Sequence, residues 1–161
     1  MLKCETIPLE ERNQCKICLD DTDEGENFLF NPCKCNGSCG TVHYSCLAEW
    51  IRIKVKKEVI GGTQHYNFTK FECEVCKSEL PGFIEMKTQD GNVYNRELIT
   101  LDRPKGTYLI FEGACEKEKS IMVLQNTPEA GIKLGRGHEC EIRITDISVS
   151  RKHAYIKTQN N

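Results

Sequence analysis

The sequence predicts a small α+β domain organised around paired cysteines and one histidine, followed by a partial all-β sandwich. Three observations predict this: four ligand-like pairs before residue 77, an apolar pattern at helical spacing after Cys46, and five short strand-like segments beyond residue 104. A chain of 161 residues has room for two small domains. We divide it into an N-terminal tail (1–12), a ligand-rich domain (13–80), a linker (81–104) and a partial sandwich (105–161).

The paired residues have the types and spacing of metal ligands. In order, the pairs are Cys15-x-x-Cys18, Cys33-x-Cys35, His43-x-x-Cys46 and Cys73-x-x-Cys76. A single Cys-x-x-Cys could be a redox pair, but four pairs supply enough thiolate and imidazole donors for two closed tetrahedral zinc sites. We therefore expect two Zn²⁺ as cofactors. A domain this small buries little apolar surface, so metal binding is expected to supply most of its folding free energy.

The pattern after Cys46 predicts one amphipathic helix from about Tyr44 to Lys57. Its apolar positions are Leu47, Trp50, Ile51 and Val55, and Gly61-Gly62 ends the pattern. The segment from Lys54 to Lys57 is interpreted as a solvated helix face. Residues 81–104 are polar and contain a turn signal at 89–92, so this segment is interpreted as a linker that could include a hairpin.

The second half contains five apolar, β-branched or aromatic segments separated by turn residues. They are 107–112, 120–125, 132–134, 141–144 and 153–157. Short strands repeated in this way are typical of a β-sandwich.

Composition favours an intracellular protein, cytoplasmic or nuclear, with reduced thiols. The chain has 11 cysteines but no signal-peptide pattern at its N-terminus, and no apolar run of membrane-spanning length. The net charge of −2, with mixed signs, is not that of a nucleic-acid-binding protein. The cysteines outside the pairs are interpreted as ordinary small side chains, although Cys39 lies close enough to the pairs to compete for metal.

The residues around the pairs resemble the RING-CH zinc finger, the variant RING of membrane-associated and viral ubiquitin ligases. The resemblance is carried by the one-residue spacer in Cys33-x-Cys35, the long interval to His43, and the segment from Val42 to Ile51. It implies a RING-like fold with interleaved ligands. One zinc would be held by Cys15, Cys18, His43 and Cys46, and the other by Cys33, Cys35, Cys73 and Cys76.

The same resemblance implies ubiquitin ligase activity, with a ubiquitin-conjugating enzyme and ubiquitin as partners. A RING supplies no nucleophile and acts by holding the thioester and ubiquitin in a reactive arrangement, so no residue here is expected to be catalytic. Ile17 and Trp50 match the apolar positions that contact the conjugating enzyme, and Lys77 matches a cation that bridges enzyme and ubiquitin. The alternatives are a small apolar core for the first two and a solvated lysine for the third.

A PHD finger, which reads histone tails, has the same ligand order and is the alternative class. Phe71, two residues before Cys73, favours that interpretation because PHD fingers often have an aromatic residue there. The one-residue spacer and Trp50 favour the RING-CH interpretation. The alternative function is therefore a non-enzymatic reader or interaction protein.

The second half resembles the forkhead-associated domain, a phosphothreonine-binding β-sandwich. The resemblance is carried by Gly135-Arg136 and by the segment from Ser150 to Ala154. It implies a phosphothreonine-containing protein as partner. Arg136 would supply a guanidinium fork and Ser150 a hydroxyl to the phosphate, and Arg151 would contact the peptide or phosphate. His153 is expected to hold the loop through buried hydrogen bonds.

This second resemblance departs from its family in one respect. The family continues with further strands and a peptide-contacting asparagine, whereas this sequence ends at Asn161. We expect a fragment; completion by another chain and a degraded remnant are the alternatives. An incomplete sandwich has an open strand edge and is expected to bind phosphopeptide weakly or not at all.

Overall fold

The computed structural model describes residues 2–5, 7, 14–22, 27–88, 91–115, 118–125 and 131–157. Its elements, in chain order, are β1 (Leu2–Glu5), β2 (Leu29–Phe30), a 3₁₀ turn (Gly37–Cys39), β3 (Val42–His43), α1 (Tyr44–Arg52), β4 (Lys56–Ile60), β5 (Thr63–Thr69), β6 (Phe83–Lys87), β7 (Val93–Glu97), β8 (Tyr108–Cys115), β9 (Glu118–Gln125), β10 (Ile132–Gly135), β11 (Ile142–Arg143) and β12 (Ala154–Ile156). Two compact units result: Met1–Val55 with Lys70–Thr100, and Lys56–Thr69 with Leu101–Asn161.

The first unit is α+β, as predicted. β2 pairs antiparallel with β3, and a separate sheet has the order β1-β6-β7 with β1 parallel to β6. Its buried apolar side chains include Leu29, Phe30, Val42, Ile51, Ile84, Met86 and Leu98.

Helix α1 is shorter than the sequence predicted. It buries Leu47 and Ile51 on one face and ends at Arg52, where the Ile53 N–H still donates to the Glu49 carbonyl at 3.2 Å. The predicted extension to Lys57 is wrong because the chain enters β4 at Lys56. Lys56 and Lys57 therefore lie on a strand and not on a solvated helix face.

The glycine pair interpreted as the end of the helix forms a hairpin turn. Gly61 and Gly62 have φ of 59° and 83°, and Ile60 pairs with Thr63 across the two-residue loop. Positive φ at both central positions is the geometry of the two-residue turn that matches the twist of antiparallel strands, and glycine adopts it without strain. This turn connects strands β4 and β5 as an antiparallel hairpin.

The second unit is all-β and confirms the partial sandwich. An antiparallel sheet has the order β4-β5-β9-β8, and a smaller sheet has the order β11-β10-β12. Met122, Leu124, Ile132 and Ile142 form its buried cluster. Each of the five predicted strand segments overlaps an observed strand, β8 to β12, although β8, β9 and β10 extend beyond the predicted bounds. The hairpin β4–β5 was not predicted, and its partner β9 lies far along the chain.

Residues 81–104, interpreted as a linker, contain the antiparallel hairpin of β6 and β7. Gln89 and Asp90 of the predicted turn lie outside the described residues. β1 lies in the segment interpreted as a tail, and pairs Leu2 with Ile84. The proposed domain boundaries remain a prediction. Within the described part of the chain, no helix has the length and hydropathy needed to cross a bilayer.

Candidate functional site

The first unit brings the eight predicted ligands together in two groups of four. One group is Cys15, Cys18, His43 and Cys46, and the other is Cys33, Cys35, Cys73 and Cys76; within each, the ligand atoms all lie within 4.8 Å of one another. These are the two sets that the interleaved resemblance implies. Two separate clusters of this composition are consistent with two zinc ions.

The spacing of the sulfur and nitrogen atoms fits zinc. A tetrahedral site with Zn–S bonds of about 2.3 Å requires sulfurs roughly 3.8 Å apart. The Sγ atoms of Cys35 and Cys73 are 3.7 Å apart. In the other group, His43 Nδ1 lies 3.2 Å from Cys18 Sγ and 4.0 Å from Cys46 Sγ. Soft sulfur and imidazole donors in closed sets of four are those of structural zinc sites.

The two Cys-x-x-Cys turns have the same backbone geometry. The Leu19 N–H donates to the Cys15 carbonyl at 2.8 Å, and the Lys77 N–H donates to the Cys73 carbonyl at 2.9 Å. Leu19 and Lys77, each directly after a ligand, have φ of 63° and 58°. In the first turn the Ile17 N–H also donates to Cys15 Sγ at 3.4 Å. These turns bring both sulfurs of a pair into one cluster and leave Ile17 and Val75 exposed.

His43 is buried and held in one orientation. Its Nε2 lies 2.9 Å from the Thr22 carbonyl, which can only accept, so Nε2 carries the proton and donates. Nδ1, the other ring nitrogen, faces Cys18 and Cys46. A carbonyl partner on the distal nitrogen is the usual way in which a protein orients a metal-binding histidine.

The thiols of the four-cysteine cluster have opposite pKa shifts. Hydrogen bonds from the Ser78 side chain and backbone lower the pKa of Cys76 to about 5. Burial, and then hydrogen bonding with the neighbouring thiols, raises the pKa of Cys35 to about 12. Four adjacent sulfurs cannot all be deprotonated without a compensating positive charge. A divalent ion supplies that charge, because thiolates are the metal-binding form.

An apolar groove lies beside these clusters. It encloses about 180 Å³, and its lining includes Ile17, Pro32, Leu47, Trp50, Val75 and Leu80. The structure thus brings together two of the predicted contact residues, Ile17 and Trp50. Lys77 is exposed and is not part of this lining.

Sequence reasoning missed Val75 as a groove residue. It is 65% exposed and occupies the same position in the last Cys-x-x-Cys as Ile17 does in the first. An apolar residue just before the second cysteine of each turn was the signal that could have identified it.

Trp50 is held by neighbours on two sides. Phe71 packs edge-on against it with ring centroids 6.5 Å apart, and the Lys54 ammonium lies 3.8 Å from its ring centroid. Lys54 also pairs with Glu74 at 3.4 Å. Phe71, the residue that favoured the PHD alternative, is buried, and this contact gives it a packing role.

In the second unit, the backbone places Arg136 beside Ser150. The Arg136 N–H donates to the Ser150 carbonyl at 3.0 Å, while the side chains of Arg136, Ser150 and Arg151 are exposed. Gly135 permits this approach, because a Cβ there would lie 2.4 Å from the Arg151 carbonyl oxygen. The His153 ring is exposed, contrary to expectation, although its Nδ1 accepts a long, 3.5 Å hydrogen bond from the Ser150 N–H.

Family comparisons match both halves of the chain. Residues 15–76 match the RING-variant domain, and residues 132–161 match the FHA domain. The stretch that contains both metal clusters is therefore the part of the chain that matches the RING-variant family. The FHA match covers a shorter segment than the predicted domain at 105–161.

Several curated proteins are similar to part of this chain. The chain is 32% identical over 85 residues to the E3 ubiquitin-protein ligase MARCHF7 of Pongo abelii, covering 53% of this chain and 11% of that protein. It is 39% identical over 44 residues to human MARCHF3, covering 27% and 17%, and 50% identical over 40 residues to the ERAD-associated ligase DOA10 of Saccharomyces cerevisiae, covering 25% and 3%. The chain thus spans less than a fifth of these relatives. No solved structure matches it.

Proposed function

We propose that residues 15–76 bind a ubiquitin-conjugating enzyme and promote ubiquitin transfer to a substrate lysine. Support comes from the RING-variant match and from relatives that are named E3 ubiquitin-protein ligases. Because this chain spans only a small part of those relatives, their activity is transferred here as a proposal.

The proposal assigns a structural role to the metal. The two groups of four side chains hold one zinc ion each and leave no open coordination position, so each ion fixes the chain and activates no water. The closed sites order the turns on which Ile17 and Val75 lie. A rigid, exposed apolar residue is a suitable interface anchor, because little conformational entropy is lost on binding.

The observation that carries the proposal is the groove. Ile17, 45% exposed, and Trp50 lie on separate elements and line the same apolar depression. A loop of the conjugating enzyme that inserts apolar side chains there would be held beside the metal domain. We place Lys77 at the edge of the bound enzyme, where its cation contacts enzyme or ubiquitin. The chain supplies no nucleophile, and its effect is to orient the thioester for attack by lysine.

A discharge assay tests this proposal. A panel of ubiquitin-charged conjugating enzymes is mixed with free lysine, with and without the chain, after two zinc ions per chain have been verified. We expect faster discharge with at least one member of the panel. No acceleration with any member, in zinc-loaded protein, would contradict the ligase function and favour the non-enzymatic reader.

We also propose that Arg136, Ser150 and Arg151 form the phosphate end of a phosphothreonine site. Their support is the FHA match and the backbone bond that places Arg136 beside Ser150. A guanidinium and a hydroxyl side by side suit a phosphate group. Since the match covers only residues 132–161, we expect weak binding.

NMR titration with a phosphothreonine peptide tests the second site. We expect small shifts of the Arg136 and Ser150 amides that the unphosphorylated peptide does not cause. Arg136→Ala should abolish them, whereas Lys152→Ala, the matched exposed cation, should retain them. Shifts that do not depend on the phosphate would contradict the proposal. Tight binding lost in Arg136→Ala would instead contradict the expected weakness of the site.

A further inference from the structure

Lys16 lies in the sequence between two ligands of one metal cluster, but its ammonium lies beside a ligand of the other cluster. It lies between Cys15 and Cys18, yet its Nζ is 3.8 Å from Cys73 Sγ in the four-cysteine cluster. The same ammonium donates to the Cys39 carbonyl at 3.3 Å. Its backbone N–H donates to the Thr41 carbonyl at 3.1 Å, so both ends of the residue are fixed.

The charges of the two clusters differ, and the lysine lies beside the more negative one. Three thiolates and a neutral imidazole around Zn²⁺ leave a net charge of about −1, whereas four thiolates leave about −2. A partly buried ammonium close to one of those sulfurs attracts the excess negative charge in surroundings less polar than water. Groups that donate to metal ligands also raise the affinity of a site by orienting them.

We propose that Lys16 stabilises the zinc ion of the four-cysteine cluster from outside its ligand set, and thereby links the two metal sites. The inference rests on the proposed assignment of the eight ligands. Filling the first site orders the turn that carries Lys16, and this ordered turn delivers the ammonium to the second site. The second site therefore holds zinc more tightly when the first is filled.

Lys34 provides a matched control. It is also a lysine and is adjacent to two ligands of the same cluster, Cys33 and Cys35, but it is exposed. Among the contacts of the described residues, no hydrogen bond joins its ammonium to a sulfur. A general effect of lysine charge near the cluster would affect both variants equally, whereas the proposed contact affects only Lys16.

The experiment measures zinc affinity in the full chain by competition with a chromogenic chelator. We expect Lys16→Met to weaken one of the two sites by roughly 10- to 100-fold, with Lys16→Arg and Lys34→Met within about threefold of the unaltered protein. Cobalt substitution identifies the weakened site, because four sulfurs and three sulfurs with one nitrogen give different visible spectra. The weakened site should be the four-sulfur one.

Each outcome decides the inference. Equal affinities in Lys16→Met and the unaltered protein, or an equal loss in Lys34→Met, would overturn it, as would weakening of only the histidine-containing site. If Lys16→Met does not take up two zinc ions, recovery in Lys16→Arg supports the charge-based role and failure in both variants contradicts it. Fewer than two zinc ions in the unaltered protein would instead refute the underlying metal assignment.

Discussion

The variant Ile17→Ala distinguishes an effect on binding of the conjugating enzyme from an effect on folding. Its side chain is 45% exposed, so Ile17→Ala removes few buried contacts. Its N–H···S bond to Cys15 involves the backbone and remains in the variant. We therefore expect unchanged zinc content and a loss of unfolding free energy of about 1 kcal/mol or less, well below the roughly 2 to 5 kcal/mol of a fully buried isoleucine.

Binding should respond far more. A central apolar anchor contributes about 2 kcal/mol or more to the binding free energy of an interface, so its removal should increase the dissociation constant roughly 30-fold. Calorimetry with the conjugating enzyme gives the affinity, and single-turnover lysine discharge gives the activity. Both should fall by similar factors when the enzyme concentration is below the dissociation constant.

Ile53→Ala is the matched control for this prediction. Ile53 is 67% exposed, directly follows helix α1 and is not among the residues that line the groove. It should retain full binding and discharge. Wild-type affinity in Ile17→Ala, or equal losses in the two variants, would refute the assignment of the groove as the enzyme-binding surface. Trp50→Ala is less informative, because it also removes the contacts with Phe71 and Lys54.

Other substitutions test the remaining assignments. Cys33→Ser should reduce the zinc content from two ions to one by elemental analysis, whereas Cys39→Ser, exposed and outside both clusters, should retain two. Burial lowers the pKa of His65, with Glu58 acting in the opposite direction, so the unfolded state binds more protons than the folded state near pH 6. Stability of the second unit should therefore fall as the pH drops through about 6.5, and the loss should be detected as faster amide exchange in β5 and β9. If His65→Phe has the same pH dependence as the unaltered protein, His65 is not the cause of it. Gly135→Ala should destabilise the second unit by about 1 to 3 kcal/mol, measured by thermal unfolding, because its Cβ would overlap the Arg151 carbonyl.

The metal clusters were predictable because each pair of ligands is local. A Cys-x-x-Cys turn is specified by four consecutive residues, and the sequence shows them directly. The pairing of His43 with Cys15, and of Cys35 with Cys73, was not available from spacing and came from the family resemblance. The groove was only partly predictable, because Leu80 and Pro32 reach it through tertiary packing.

The hairpin β4–β5 shows why other parts were missed. Gly61-Gly62 is compatible both with the end of a helix and with a two-residue strand turn. The strand turn is stabilised by the pairing of β5 with β9, in which Tyr66 lies opposite Ile121. These residues are so far apart in the sequence that no local pattern predicts their pairing. β1 was missed for a similar reason, since it is a strand of four residues stabilised by pairing with distant β6.

The position of this hairpin in the chain affects the order in which the protein can form during synthesis. The hairpin precedes the last ligand pair, Cys73 and Cys76, yet its partner strand begins at Glu118. At about 5 to 20 residues per second, β9 leaves the ribosome roughly 2 to 10 s after β5 is complete. The second cluster can thus close around zinc while the outer edge of β5 is still unpaired. A stop or cleavage in this interval would leave β4 and β5 with an exposed strand edge, and such a species is prone to aggregation.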